Sequence, residues 1–228
     1  MTIMKFLSSF KNLRHNFRLG RSCTTNNNSF QLPLDLANRL INDRVEFKLY
    51  AAEQELDSLK QLEKSGSNPS SSNIHRVIWE MKIECSLAHL VGSVDALLVR
   101  INDKLGLGLG IRNVNSGSSM SQINQKLNDN GKGNLLTTLN EALEENHWFW
   151  ILKGLRNQGL HRSLINIQVK VSLYDDINTG KGWSDRNKVL LKTDPQTDLE
   201  IIPYLEDSIN KTKILTENII KSEPLLKM

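Results

Sequence analysis

LAHLVGSVDALLVRI, residues 87–101, is the stretch that decides the fold of this 228-residue chain. It lies within a helical pattern that covers residues of about 73–104, with Asn73 as the predicted N-cap. Between Leu87 and Ile101 the pattern is apolar on most sides, which is typical of a helix covered by its neighbours. The stretch therefore predicts a long helix at the centre of a helical domain.

The segment before it predicts a second long helix over residues of about 34–64. Its apolar residues recur at spacings of three to five, as on one face of an amphipathic helix: Leu36, Leu40, Val45, Leu49, Ala52, Leu56 and Leu59. The first half of the 73–104 pattern carries its own apolar set: Ile74, Val77, Ile78, Met81, Cys85 and Ala88. A short loop, SGSNPSSS, joins the two helices, so they are expected to pack antiparallel, as in a bundle.

Residues 105–134 are the least regular part of the chain. LGLGLG and NGKGN lack the spacing of phosphate-binding loops, so they are interpreted as helix stops and loop tips. A short helix is predicted over about 119–129, and an apolar face follows from Leu135 to Leu143.

The hydrophobic period changes after residue 164. In LINIQVKVSLY apolar and polar residues alternate, which indicates a strand with one buried face. A second strand is predicted at Val189–Leu191, giving a β-hairpin insertion over about 165–193. The last helix is predicted over about 198–222, with Pro203 in its first turn or at a kink. The predicted fold class is mainly α: an up-down helical bundle with a small β-hairpin before the last helix.

Composition places the chain among globular proteins, with 39% hydrophobic and 24% charged residues. No apolar run approaches the ~20 residues that span a bilayer. Cys23 and Cys85 lie far apart and suggest no disulfide framework, so a cytoplasmic location is expected. Cys85 is interpreted as a reduced core thiol because it sits in an apolar helical stretch.

The formal net charge of +4 is concentrated in the first 34 residues, which hold five basic side chains and no acidic one. The remaining residues carry 24 basic and 25 acidic side chains, a balance of −1. The predicted domains are accordingly a basic amphipathic arm with its linker at 1–29 and a helical domain at 30–228. The arm fits three functions: an organellar transit peptide, a surface for membranes or partners, or a terminal helix packed on its own domain.

Candidate chemistry is confined to GLRNQGLHRS, residues 154–163. On a helix Asn157 and His161 share a face, and Arg156 lies on its flank. A guanidinium grips a phosphate or carboxylate through paired donors, and an imidazole moves protons near neutral pH. Asn157 can hold the imidazole or the ligand without titrating. The three residues suit an anionic ligand that loses and gains a proton, such as a phosphodiester.

Two alternatives concern the same residues. Arg156 and His161 could cap the C-terminal end of their helix, where positive groups are favoured. A metal site is not expected, because His147 stands fourteen residues before His161 and no cysteine or carboxylate cluster has ligand spacing. Ser93 and Asp95, on the apolar central helix, could face the motif or line a solvated stripe.

Arg156, Asn157 and His161 form a motif: an Arg, a polar residue, three further positions and a His. This motif, late in a helical bundle, resembles that of the HEPN superfamily (higher eukaryotes and prokaryotes nucleotide-binding). The resemblance covers residues of about 34–222. The resemblance implies helical homodimers whose two motifs face a shared cleft. It implies metal-independent RNA cleavage, without a cofactor, often in toxin–antitoxin or defence systems.

Carried over from the family, His161 would assist attack by a ribose 2′-hydroxyl on the adjacent phosphate. Arg156 would stabilise the phosphoryl charge, and Asn157 would orient a phosphoryl oxygen. Ser163 stands where some members carry a Tyr that a partner enzyme modifies. Other members are non-catalytic, so the alternative function is a module that binds a nucleotide or a protein partner. Expected partners are RNA or a nucleotide, a second copy of the chain and an antitoxin-like protein.

Overall fold

In the computed structural model the described residues are 32–111, 114–117, 119–144, 147–161, 167–171, 187–194 and 197–227. The chain divides into two units, residues 1–37 and 38–228. The predicted basic arm and linker, with Cys23, lie outside the described residues.

Seven α-helices and three strands occur in the described residues. The helices are α1 (Leu34–Asn42), α2 (Arg44–Lys64), α3 (Asn73–Lys104), α4 (Met120–Asp129), α5 (Gly133–Leu143), α6 (Trp148–His161) and α7 (Ile201–Ser222). The strands β1 (Ile167–Val171), β2 (Asn187–Asp194) and β3 (Thr197–Glu200) lie between α6 and α7. The mainly helical class is confirmed.

The prediction of a single helix over 34–64 is wrong, because the helix is interrupted at Asp43. The backbone of Asp43 is extended, and its carboxylate accepts hydrogen bonds from the amides of Val45 (2.9 Å) and Glu46 (3.1 Å). An aspartate in this position satisfies amide groups that the first turn of a helix leaves unpaired. Asp43 also forms a salt bridge with the buried guanidinium of Arg100, near the end of α3.

α3 is the central helix, as its sequence predicts, and its N-cap is Ser72 rather than Asn73. The Ser72 side chain accepts a hydrogen bond from the His75 amide at 3.1 Å. α2 packs along α3 in the expected antiparallel sense. Three contacts show the direction: Asp43 with Arg100, Lys48 beside Gly92, and Glu55 with Lys82.

The first half of α3 buries a face that its apolar pattern did not identify. Trp79 and Ile83 are fully buried, whereas Ile74, Val77 and Met81 are 72%, 54% and 50% exposed. The Trp79 indole donates a hydrogen bond to the Ser67 carbonyl at 2.6 Å, which ties the α2–α3 loop to the core. The helix has two apolar faces, and the one with the larger side chains is buried.

The interpretation of Cys85 as a core thiol is therefore wrong. Cys85 lies one helical turn from Met81, on the exposed face of α3, and it is free and exposed. Partial burial, with a smaller effect of the nearby Glu55 carboxylate, raises the pKa of the thiol.

Both glycine-containing stretches are turns, as predicted. Gly106, Gly108 and Gly131 have φ of 60°, 73° and 67°, a conformation that side chains other than glycine's rarely adopt. The side chain of Asn102, which is buried, donates to the Leu109 carbonyl at 3.0 Å and accepts from the Leu109 amide at 2.9 Å. These two bonds fix LGLGLG against the end of α3.

The predicted hairpin is present: β1 pairs antiparallel with β2, with Val169 opposite Val189. The sequence pattern missed β3, which pairs antiparallel with β2 and continues directly into α7. Ile167 and Val189 join the main hydrophobic core, so the sheet is attached to the bundle. Pro203 is the third residue of α7, in its first turn as predicted.

Candidate functional site

α6 carries the motif and remains helical through it. Phe149, Leu152 and Leu155 are buried and anchor one face of α6 in the core. Of the neighbouring tryptophans, Trp148 packs edge-on against Phe149 with ring centroids 5.6 Å apart, and Trp150 is 42% exposed. Because Leu155 is buried, its neighbour Arg156 is held at the margin of the core rather than in open solvent.

The Arg156 guanidinium is half-buried and incompletely paired. Its Nη1 donates to Oδ1 of Asn157 at 2.7 Å, while its Nε is buried and has no hydrogen-bond partner in the described residues. This bond runs to a side chain and not to a carbonyl at the helix end, which argues against a capping role for Arg156. A buried donor without a partner costs about 1–3 kcal/mol. Apart from the bond to Asn157, the described residues give the Arg156 guanidinium no hydrogen-bond partner.

His161 is the last residue of α6, one helical turn after Asn157. Its side chain lies outside the described part of the structure, and Ser163 falls in the gap at 162–166. The helix thus places the His161 backbone where the sequence predicts.

Lys153, one turn before Arg156 and Asn157, connects α6 to α3. Its Nζ donates to the Ser116 carbonyl at 3.2 Å. The Ser116 amide and hydroxyl both donate to Oδ1 of Asp95 at 2.7 Å. Asp95 is half-buried, and its carboxylate holds the loop against which Lys153 docks.

Sequence reasoning missed Lys153 and Ser116, and it misplaced Ser93. The only available signal was the charged Asp95 within the apolar part of α3, residues 87–99. Ser93 is fully buried and donates to the Leu90 carbonyl at 2.6 Å, so the prediction that it lines a solvated stripe is wrong. A hydroxyl that bonds the carbonyl three residues earlier in its own helix can be buried at little cost.

No protein-family model, curated protein or solved structure matches the chain. The resemblance to the HEPN superfamily therefore stays a prediction from the sequence motif.

No group of three or more potential metal-ligating side chains occurs among the described residues. His147, the histidine nearest the motif in sequence, has its Nδ1 2.6 Å from the Glu141 carbonyl. None of the described helices has both the length and the apolar character that a membrane crossing requires.

Proposed function

We propose that the protein is a HEPN-type endoribonuclease that cleaves single-stranded RNA without a metal ion. The observation that carries this proposal is the half-buried Arg156, whose Nε lacks a partner in the described residues while Asn157 holds its Nη1. A phosphate can accept two hydrogen bonds from one guanidinium and supplies a negative charge to a half-buried cation that has no acidic partner in the described residues.

The proposed reaction is an attack by a ribose on its own 3′-phosphate. The 2′-oxygen bonds to phosphorus, and the bond from phosphorus to the 5′-oxygen breaks. His161 takes the proton of the 2′-hydroxyl, and this proton is returned to the departing 5′-oxygen. The products are a 2′,3′-cyclic phosphate and a 5′-hydroxyl end. Arg156 stabilises the charge that develops on the phosphoryl oxygens.

In this proposal Asn157 acts through Arg156. Its Oδ1 accepts from the guanidinium and so positions Arg156, whereas the phosphoryl oxygen that the resemblance assigns to it would have to accept from its Nδ2. The amide nitrogen of Asn157 remains available for a ligand or for the His161 ring.

The test is cleavage of a labelled single-stranded RNA by the purified chain in EDTA. His161→Ala and Arg156→Ala are each expected to lower the rate at least about a hundredfold, because each removes an acid–base or charge-stabilising group. Circular dichroism and thermal unfolding check that the variants are folded. Equal cutting by the parent and the double variant would show that another site, or a contaminant, is responsible.

We also propose that the protein acts as a homodimer. Ile74, Val77 and Met81 form an exposed apolar stripe at helical spacing on α3, and exposed apolar patches mark interaction surfaces. A second copy would bury this stripe. The resemblance also suggests an antitoxin-like partner, which would be detected as a protein that relieves growth arrest when the two are co-expressed.

The alternative is a non-catalytic module that binds a nucleotide at the motif. In the described residues the Arg156 guanidinium is held by the neutral amide of Asn157, and no acid–base group is seen in contact with it. This pairing favours the non-catalytic alternative. This alternative predicts that a nucleotide raises the melting temperature in a concentration-dependent way, with no RNA cleavage.

A further inference from the structure

Lys48 of α2 lies across α3 at Gly92. A Cβ atom built on Gly92 would be 3.5 Å from Cε of Lys48 and 3.6 Å from its Nζ. Glycine in a helix interior costs about 1 kcal/mol relative to alanine. At Gly92 the missing side chain leaves the surface of α3 open to the end of the Lys48 chain.

Three basic side chains near this point act on one another electrostatically, and we name Arg44, Lys48 and His89 the basic ledge. Arg44 and Lys48 are one turn apart on the same flank of α2, and His89 is one turn before Gly92 on α3. Burial lowers the pKa of Lys48, and the neighbouring Arg44 charge lowers it further. Burial also lowers the pKa of His89, and Lys48 adds to that effect.

The ledge forms no salt bridge within the described residues, although the carboxylates of Asp95 and Glu55 lie within electrostatic range of it. Neither Arg44 nor Lys48 forms a salt bridge there, and the Arg44 guanidinium lies 4.7 Å from the centre of the Phe47 ring. Asp95 attracts Lys48 electrostatically, and its Oδ1 also accepts two hydrogen bonds from Ser116. Glu55, which acts on His89, has its own partner in Lys82 at 2.8 Å.

Neighbouring positions on α3 and α6, joined by hydrogen bonds through Ser116, connect the ledge to the motif. Gly92 and Asp95 are three residues apart on α3, so they are neighbours on its surface. Asp95 binds Ser116, and Ser116 accepts the hydrogen bond of Lys153. Lys153 is one turn before Arg156 on α6. Basic side chains therefore occur at both ends of this connection, although residues 35–228 have no excess of basic residues.

We infer that the basic ledge binds a backbone phosphate that flanks the scissile phosphate of an RNA strand held at the motif. The inference rests on the proposed function for its choice of ligand. A lysine amine binds phosphate as a mobile point charge, and an exposed arginine adds a donor fork. Such contacts set affinity and register and carry no base specificity.

The test is binding of a fluorescently labelled single-stranded RNA that is 2′-O-methylated throughout and so cannot be cleaved. Anisotropy is measured with the full chain in EDTA at several salt concentrations. Lys48→Gln is expected to weaken binding by about three- to tenfold and to reduce the slope of log affinity against log salt by about 0.7. Lys64→Gln is the matched control. It removes the same charge from an exposed position sixteen residues later, roughly 24 Å along the axis of α2.

A pair of variants at Gly92 tests the same site without changing charge. Gly92→Leu fills the space over which Lys48 lies and is expected to weaken RNA binding like Lys48→Gln. Gly92→Ala places its Cβ at ordinary contact distance from Lys48 and is expected to leave binding intact. Arg44→Gln, at an exposed position, keeps the test decisive if a substitution at Lys48 or Gly92 unfolds the protein.

The outcomes separate this inference from the proposed catalysis. Weaker binding by Lys48→Gln but not by Lys64→Gln supports the ledge, even if the parent cleaves no RNA. Equal binding by the two variants overturns the ledge, even if the parent cleaves RNA in EDTA. A competition with poly-glutamate, at a concentration of charges equal to that of the RNA, tests the choice of ligand. If poly-glutamate displaces the RNA, an acidic protein surface is the better ligand, and the choice of RNA is overturned.

Discussion

Asn157 holds the guanidinium of the residue before it: Nη1 of Arg156 donates to Oδ1 of Asn157 at 2.7 Å. Consecutive residues on a helix point about 100° apart, so this bond draws the Arg156 side chain sideways around α6. The Nε of this guanidinium is buried and has no hydrogen-bond partner in the described residues.

Asn157→Ala is expected to lower RNA cleavage about tenfold, equivalent to ~1.4 kcal/mol of transition-state stabilisation, because Arg156 loses its positioning partner. The melting temperature should hardly change. Asn157→Asp keeps an acceptor for Nη1 but places a negative charge beside the substrate, so we expect it to raise KM more than Asn157→Ala does. Steady-state kinetics separate the two effects, and unchanged kinetics in both variants would contradict a positioning role.

Asp43→Ala is expected to destabilise the protein by about 3–5 kcal/mol. It removes the helix cap of α2 and leaves the buried Arg100 without its counter-charge. Asp43→Asn retains an oxygen for the cap and for Arg100, and so isolates the cost of losing the negative charge. Urea unfolding measures both variants. Arg39→Ala breaks the exposed pair with Glu46 and serves as the control, with an expected loss below about 1 kcal/mol.

Gly92→Ala is expected to stabilise the protein by about 0.5–1 kcal/mol. Alanine is the better helix former, and its Cβ would meet Lys48 at no less than 3.5 Å. Thermal and urea unfolding measure the gain. A loss of stability would show that Lys48 must approach α3 more closely than the structure places it.

His89 is expected to make the protein less stable as the pH falls below about 6.5. Its pKa in the folded state is lowered by burial and by Lys48 and Arg44, with Glu55 acting in the opposite direction. Between the ordinary pKa and this lower value the unfolded chain binds the proton and the folded chain does not, so unfolding is favoured. His89→Gln should therefore lose less stability than the parent between pH 7.5 and pH 5.

The raised carboxyl pKa values of Glu63 and Glu84 act with the opposite sign, since their folded forms hold the proton more tightly. They are common to the parent and to His89→Gln, so the difference between the two pH profiles isolates His89. Identical profiles would show that the imidazole titrates as freely in the folded chain as in the unfolded one.

Met81→Glu is expected to convert a homodimer into a monomer, because it places a charge in the exposed apolar stripe of α3. Light scattering after size-exclusion chromatography gives the mass. Ile214→Glu is the control, since it changes a similarly exposed apolar residue, 56% accessible, on α7. A parent that is monomeric at high concentration would contradict the proposed assembly.

The sequence by itself determined the helical class, the long central α3, the turns at Gly106 and Gly131, the β1–β2 hairpin and the helix that carries Arg156, Asn157 and His161. These features depend on local causes: a hydrophobic period of 3.6 or 2, and backbone conformations that favour glycine. The motif residues could be listed without a structure because a guanidinium, an amide and an imidazole have chemistry of their own.

Only the tertiary structure decided which of two apolar faces α3 buries, and hence that Cys85 is exposed while Trp79 is in the core. It also decided the break at Asp43, where pairing with Arg100, 57 residues away, accompanies the local cap. The ledge at Lys48 depends equally on the distant Gly92. Each of these features is a contact between residues far apart in the chain, and a periodic pattern carries no information about which distant side chain will fill a given space.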